Sequence, residues 1–227
     1  MYDAVIFDND GVLTTPTPAA VNRASVRLAF QDHGVPSPTE ADVTAMFRDA
    51  AAVDAVCEAY GIDTEAFWAT RERRAADGQA VELGAGTKRL YEDVAALRGL
   101  DADLGIVSNN QHRTIEYIVD RFDLDDLFAT YYGRDPTLDG FRSRKPDPHY
   151  LERAVADLDA DSVLYVGDTD CDVGAADRLG VDSVFLRRSH RTGYRLSDPP
   201  TFEVSSLTAL VDLVNGSGDV GDSRAST

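Results

Sequence analysis

Lysine is nearly absent from this chain of 227 residues: Lys88 and Lys145 stand alone among 22 basic residues, the rest being arginine. Cysteine is as scarce. Cys57 and Cys171 are too few for a disulfide framework or a thiolate zinc cage, so a reducing cytoplasm is the expected compartment. No run approaches the ~20 apolar residues of a membrane span. The N-terminal residues carry no basic stretch followed by an apolar one, so a secretory signal is not expected. Acid is what abounds: Asp and Glu together number 40, and the formal net charge is −18. Such a surface repels phosphate backbones and anionic bilayers, which argues against nucleic-acid and membrane partners. Disorder is the bland reading of so acidic a chain, but its periodic apolar segments oppose that. High acidity with little lysine resembles the composition of proteins from salt-loving organisms, in which charge is strongly screened.

The most informative segment is Val5-Ile6-Phe7-Asp8-Asn9-Asp10-Gly11-Val12-Leu13-Thr14. Its apolar run reads as a buried strand, and Gly11 lets the chain turn away just past two carboxylates. Residues two apart on a strand share a face, so Asp8 and Asp10 would point together if the strand continued. Like charges held at a strand's end are costly unless a cation or a reaction uses them. Alone, the segment is equally consistent with an acidic surface turn. Later segments tip the balance.

Thr15-Pro16-Thr17-Pro18 reads as a linker. Helical spacing is expected over 19–33, then over 39–60 and 64–76 with Gly61 between them. No strand-like alternation occurs from 19 to about 83. Residues 16–83 are therefore expected to form an all-helical insert, with 1–15 and 84–214 as the core and 215–227 as a polar, disordered tail. From Gly84 onward strands and helices alternate: helices over 87–98, 112–122, 148–158 and 172–179, strands over 102–107, 127–132, 162–166 and 182–186. That order predicts an α/β fold with a doubly wound, mostly parallel sheet. Ligands of such sheets bind outside the carboxyl ends of the strands, where every polar cluster of interest falls.

One strand end delivers Ser108 and Asn109, whose hydroxyl and amide suit a phosphate oxygen. Arg144-Lys145-Pro146-Asp147-Pro148 places a compact ammonium just before a helix, in a chain that otherwise uses arginine. Gly167-Asp168-Thr169-Asp170-Cys171-Asp172 supplies a third acidic group. Singly, each has a plainer reading, as a helix cap or a solvated lysine. A calcium loop starting at Asp168 fails, because Val173 and Leu179 stand where glycine and a bidentate glutamate are required. Arg71 to Arg74 reads as a solvated helix face.

Together, in this order and on these elements, the clusters resemble the haloacid dehalogenase superfamily of phosphohydrolases. Asp8 to Thr14 matches its first motif, Ser108 its second, Lys145 its third, and Gly167-Asp168 with Asp172 its fourth. The resemblance implies a Rossmann-like core with a helical cap inserted between the first two motifs. It implies that Asp8 is the nucleophile, attacking phosphorus to give an aspartyl-phosphate, and that Asp10 is the general acid and base. It implies Mg²⁺ held by Asp8, the main-chain carbonyl of Asp10, Asp168 and Asp172, and a phosphoryl group held by Ser108, Asn109 and Lys145. The implied substrate is a small phosphorylated metabolite, as in the phosphoglycolate phosphatases of the superfamily, acted on by a monomer or homodimer. Dehalogenases lack the second aspartate of motif one, so Asp10 argues against them. Phosphomutases share every motif residue and differ in the acceptor. A signalling receiver domain is a further alternative, but such domains are shorter and have no helical insert.

Overall fold

The computed structural model describes residues 2–216. The expected disorder of the tail falls, from residue 217 onward, outside the described residues. Six parallel strands form one sheet in the order β3-β2-β1-β4-β5-β6: β1 Ala4–Phe7, β2 Asp103–Gln111, β3 Thr130–Arg134, β4 Val163–Gly167, β5 Asp182–Leu186 and β6 Phe202–Val204. The chain reverses direction of travel across the sheet between β3 and β4, so β1 lies at the centre with β2 and β4 beside it. Side-chain alternation splits the strands between two apolar layers. Val5, Phe7, Leu104, Ile106, Leu164 and Val166 face one core, under α5 (His112–Arg121) and α9 (Leu207–Val214). Ala4, Ile6, Val107, Val163 and Tyr165 face the other, under α7 (His149–Asp157) and α8 (Asp170–Leu179). Burial on both faces is what the near-continuous apolar runs demanded.

Register positions the chemistry. Phe7 lies opposite Ile106 on β2 and Val166 on β4, which sets these three positions level across the centre of the sheet, although β2 itself runs on to Gln111. One or two residues later the chain reaches Asp8, Ser108 and Asp168, side by side at one edge.

Between β1 and β2 the chain forms α1 (Ala19–Asp32), α2 (Glu40–Ala45), α3 (Ala50–Tyr60) and α4 (Thr64–Ala85). Their own apolar cluster is centred on Phe30, Met46, Phe67 and Trp68. It also takes in Leu138 and Phe141 of α6 (Leu138–Arg142), so insert and core share one packed seam. α1 and α4 approach closely at Gly78, where a Cβ would sit 3.1 Å from Val21 and 3.2 Å from Ser25. No described helix is long and apolar enough to cross a membrane.

Several boundaries differ from the sequence reading. The helix expected over 39–60 is two, because the Asp49 carboxylate accepts the Ala52 N–H at 2.8 Å and starts a new helix there. The helix expected to stop at 76 runs on to Ala85 and ends at Gly86 with φ 74°. Residues expected to begin a helix at 87 are instead extended. Leu90 pairs with Thr14, and only Glu92–Gly99 coils, as a 3₁₀ helix. β3 starts at Thr130 rather than 127, and β2 continues through Gln111.

Candidate active site

Asp8 leaves β1 with its N–H donating to the Val166 carbonyl at 2.8 Å, which holds the residue between two strand ends. The next turn is tight: the Asn9 carbonyl accepts N–H groups from Val12, Leu13 and Thr14. Gly11 takes φ 83°, and a Cβ there would lie 2.2 Å from an Asp168 oxygen. The position therefore requires glycine twice over, for its dihedral and for its space.

Lys145 is buried beneath this turn. Its Nζ lies 2.9 Å from Asp8 Oδ1 and donates to Asp172 Oδ1 at 2.6 Å, Tyr165 Oη at 2.6 Å and the Val107 carbonyl at 3.1 Å. Burial disfavours the ammonium, but Asp172 and Asp8 outweigh it and hold the pKa well above the ordinary lysine value. The Asp8 carboxyl moves the other way. Burial is the main cause; Asp172 and Asp168 add to it, Lys145 opposes it, and the net effect pushes the group up to about 7.

Asp172 has little freedom. Its second oxygen accepts the Asp168 and Thr169 N–H groups at 3.2 and 3.0 Å and the Thr169 hydroxyl at 2.6 Å, capping α8. Gly167 lies against it, where a Cβ would be 2.1 Å from that of Asp172. Asp168 is 1 % exposed. Its Oδ2 accepts from Arg191 Nε at 2.8 Å and pairs with His190 Nε2 at 2.7 Å, while its Oδ1 has no hydrogen-bond partner. Oxygens of Asp8, Asp168 and Asp172 all lie within 4.8 Å of one another. Three carboxylates drawn together, two of them on Lys145 and the third with a buried oxygen unpartnered, fit a hard divalent cation with oxygen ligands.

Ser108 is buried, and its Oγ accepts the Asn110 N–H at 3.3 Å. Asn109 differs from its expected use: its amide exchanges two bonds with the main chain of Lys145, accepting at 2.8 Å and donating at 3.1 Å. That amide fixes the lysine. All seven predicted residues (Asp8, Asp10, Ser108, Asn109, Lys145, Asp168 and Asp172) line one cavity of about 530 Å³.

Sequence reasoning missed several groups here. Arg191 and Tyr194, beyond β5, line the same cavity, and nothing in their spacing marked them. Asn110 donates to Asp10 Oδ1 at 2.8 Å. Lys88 is 1 % exposed and ion-paired with Asp10. Its scarcity as a residue type was the available signal. Arg71 and Glu72, expected on a solvated face, are 4 % and 1 % exposed.

Residues 5–186 match the family model described as haloacid dehalogenase-like hydrolase. A phosphoglycolate phosphatase from Cereibacter sphaeroides is 30% identical over 201 residues, covering 82% of this chain and 86% of that one. Another, from Pseudomonas fluorescens, is 27% identical and covers 91% of this chain and 78% of its own length. Among solved structures, CbbY from Rhodobacter sphaeroides in complex with phosphate superposes with a TM-score of 0.68 at 15% identity, covering 92% and 96%. A 2-haloacid dehalogenase from Pseudomonas syringae gives 0.60 at 20%, covering 96% and 100%. These two share the fold. The match over most of the chain carries the rest: this protein belongs to the haloacid dehalogenase-like hydrolase family.

Proposed function

We propose that the protein is a Mg²⁺-dependent phosphatase of a small phosphorylated metabolite, with 2-phosphoglycolate the first substrate to test. The observation that carries this reading is Asp8, held 2.9 Å from the Lys145 ammonium in a cavity whose other wall is carboxylate. A phosphate monoester repels an anionic nucleophile, so the site must supply positive charge where the phosphoryl group lands. Lys145 supplies part of it, and Asn109 keeps its main chain in place. Asp8, Asp168 and the Asp10 carbonyl are the groups that would hold Mg²⁺. Asp172 supports it from behind Lys145 and completes the acidic set. When bound, the cation neutralises phosphoryl charge.

Asp8 Oδ attacks phosphorus, the ester P–O bond breaks, and an aspartyl-phosphate forms. Asp10, which has to enter the step protonated, gives that proton to the departing alkoxide. It then takes a proton from water, whose oxygen attacks phosphorus, so that inorganic phosphate leaves and Asp8 is free again. Ser108 and Lys145 hold the phosphoryl oxygens throughout. These residues serve the phosphoryl group, so choice of the remainder is assigned to Arg191 and Tyr194 at the cavity wall and to the helical insert over 16–83, none of whose residues lines the cavity itself. The presence of Asp10 favours phosphatase over dehalogenase, since a halide needs no proton to leave.

The test is a screen of phosphorylated metabolites for phosphate release, with and without Mg²⁺. Release of phosphate from an alkyl phosphate, dependent on the cation and lost in Asp8→Asn, is expected. Interconversion of sugar phosphates without net release would make the chain a mutase, and no turnover of any phosphate ester would overturn the reading.

A further inference from the structure

Lys88 is the less noticed of the two lysines, and it makes the more unusual set of contacts. Its side chain is wholly buried. Nζ donates to Asp10 Oδ1, to Thr17 Oγ1 at 2.7 Å and to Gln79 Oε1 at 3.2 Å. An ammonium has three protons, and all three are used. The three acceptors come from three different parts of the molecule. Asp10 belongs to the turn after β1, Thr17 to the linker over 15–18 and Gln79 to α4 of the insert; Lys88 itself lies between α4 and the 3₁₀ helix that starts at Glu92.

The partners are also joined to one another. The Thr17 N–H donates to Asp10 Oδ2 at 3.1 Å, and its hydroxyl donates to Gln79 Oε1 at 2.9 Å. The Gln79 amide donates to Asn110 Oδ1 at 3.2 Å, and the Asn110 amide donates back to Asp10 Oδ1 at 2.8 Å. Asp10 is therefore gripped on both oxygens by a closed ring of donors with Lys88 at its centre. An arginine's planar fork could not address three acceptors arranged around a point, which gives a physical reason for lysine in a chain that otherwise avoids it.

We propose that Lys88 is the positioning residue of Asp10: it sets the orientation in which that carboxyl meets the leaving group, and ties it to Thr17 of the linker and to Gln79 of α4. The proposal rests on the reading of Asp10 as the acid that protonates the leaving oxygen. A misplaced acid harms only those substrates whose leaving group needs a proton. Nitrophenolate departs without one; an alkoxide does not.

The experiment measures kcat/KM of wild type, Asp10→Asn, Lys88→Met and Asp10→Asn/Lys88→Met on 4-nitrophenyl phosphate and on the best alkyl phosphate of the screen. Lys88→Met is expected to lose about 100-fold on the alkyl ester, mainly in kcat, and under about threefold on the nitrophenyl ester. The double variant leaves no unpaired charge, so it folds even where Lys88→Met does not, and it should match Asp10→Asn on both substrates. Gln79→Leu should show the same leaving-group signature at smaller amplitude. If Asp10→Asn itself loses equally on both esters, Asp10 is not the acid, and the reading beneath the proposal fails with it. If Asp10→Asn discriminates but Lys88→Met loses equally on both, or the double variant falls well below Asp10→Asn, Lys88 does not act through Asp10 and the proposal is overturned.

Discussion

At the ends of β1 and β4, two carboxylates hold one ammonium and a third carboxylate stands close by; between α4 and β3, two guanidiniums hold one carboxylate. In the first cluster Asp8, Asp168 and Asp172 outnumber Lys145 and open onto a cavity of about 530 Å³. In the second, Glu72 binds Arg71 and also Arg134, the latter by a hydrogen bond at 3.0 Å. This second cluster is closed by aromatic faces. The Arg71 guanidinium lies 4.9 Å from the Trp68 ring centre and 5.4 Å from that of Phe47, and Arg134 lies 5.6 Å from Phe141. Weakly hydrated guanidiniums tolerate such surroundings. Both clusters are buried and charged, yet the first has an excess of negative charge and opens onto the cavity, while the second has one guanidinium more than it has carboxylates, with Arg71 Nε and Arg134 Nη1 left without hydrogen-bond partners among the aromatic rings. Excess charge facing a cavity calls for a ligand. The second cluster braces the seam between insert and core, and Arg134 carries it to the candidate active site through its bond to the Asn109 carbonyl at 2.8 Å.

The largest expected effect breaks the first cluster at Asp8, the proposed nucleophile. An amide at Asp8 cannot attack phosphorus, so Asp8→Asn should lose at least about three orders of magnitude in kcat, or over about 4 kcal/mol of barrier. Its melting temperature should not fall. The folded-state pKa of Asp8 is raised from 3.8 to about 7, so its ionised form opposes folding. Between those values the folded state binds more protons than the unfolded one, and the Asp8 contribution to stability is lost as pH rises. In chelator, melting of the two proteins from pH 4 to 7 should therefore show Asp8→Asn gaining on wild type. Residual activity above about a tenth, a barrier change under about 1.4 kcal/mol, would remove Asp8 from its role.

Next comes the cation. Excess chelator should silence the enzyme, and Mg²⁺ should restore it. Asp168→Ala should weaken Mg²⁺ binding by at least about tenfold in calorimetry, because the substitution deletes the carboxylate with an unpartnered oxygen. Turnover untouched by chelator would mean that Lys145 and Arg191 suffice to balance the acidic set.

The second cluster should fail differently. Glu72→Leu leaves Arg71 and Arg134 buried without a counter-charge, which costs about 3–5 kcal/mol of stability. The folded fraction at low temperature should keep its Mg²⁺ dependence and leaving-group preference. A variant that stays stable while losing its chemistry would show that the brace belongs to the active site.

The two clusters were unequally legible. Asp8, Ser108 and Asp168 stand at the ends of short apolar runs, and a parallel sheet brings such ends to one edge whatever the intervening chain does; Lys145 follows no such run and was legible by its rarity. The Arg71–Glu72–Arg134 cluster joins residues 62 positions apart in sequence, Glu72 to Arg134, and periodicity carries no sign of it. A run of charges in a helix looks solvated until its partner is known. Lys88 was obscured because residues 87–98 were expected to be helical, whereas the chain there is drawn out as far as Tyr91 to pair with Thr14 and Leu13. The long helix α4 outran its expected end because its later turns are held by packing on α1, which local composition does not show.

The smallest effect lies one turn along α4 from the brace. Arg74 is three residues beyond Arg71, yet it faces outward and grips Asp32 of α1 with two bonds of 2.8 Å, both side chains about a third exposed. Water competes for these charges, and their Coulomb attraction is short-ranged in salt. Arg74→Gln should lower the melting temperature by under about 3 °C in dilute buffer, and by less as salt is raised. In the same titration wild type should itself become more stable, because salt screens the self-repulsion of a chain carrying a net charge of −18. The deficit of Glu72→Leu should persist, since its charges are out of the solvent's reach. An Arg74 deficit that held constant into molar salt would place this outer pair with the buried brace, and the division between screened and unscreened charge along α4 would have to be redrawn.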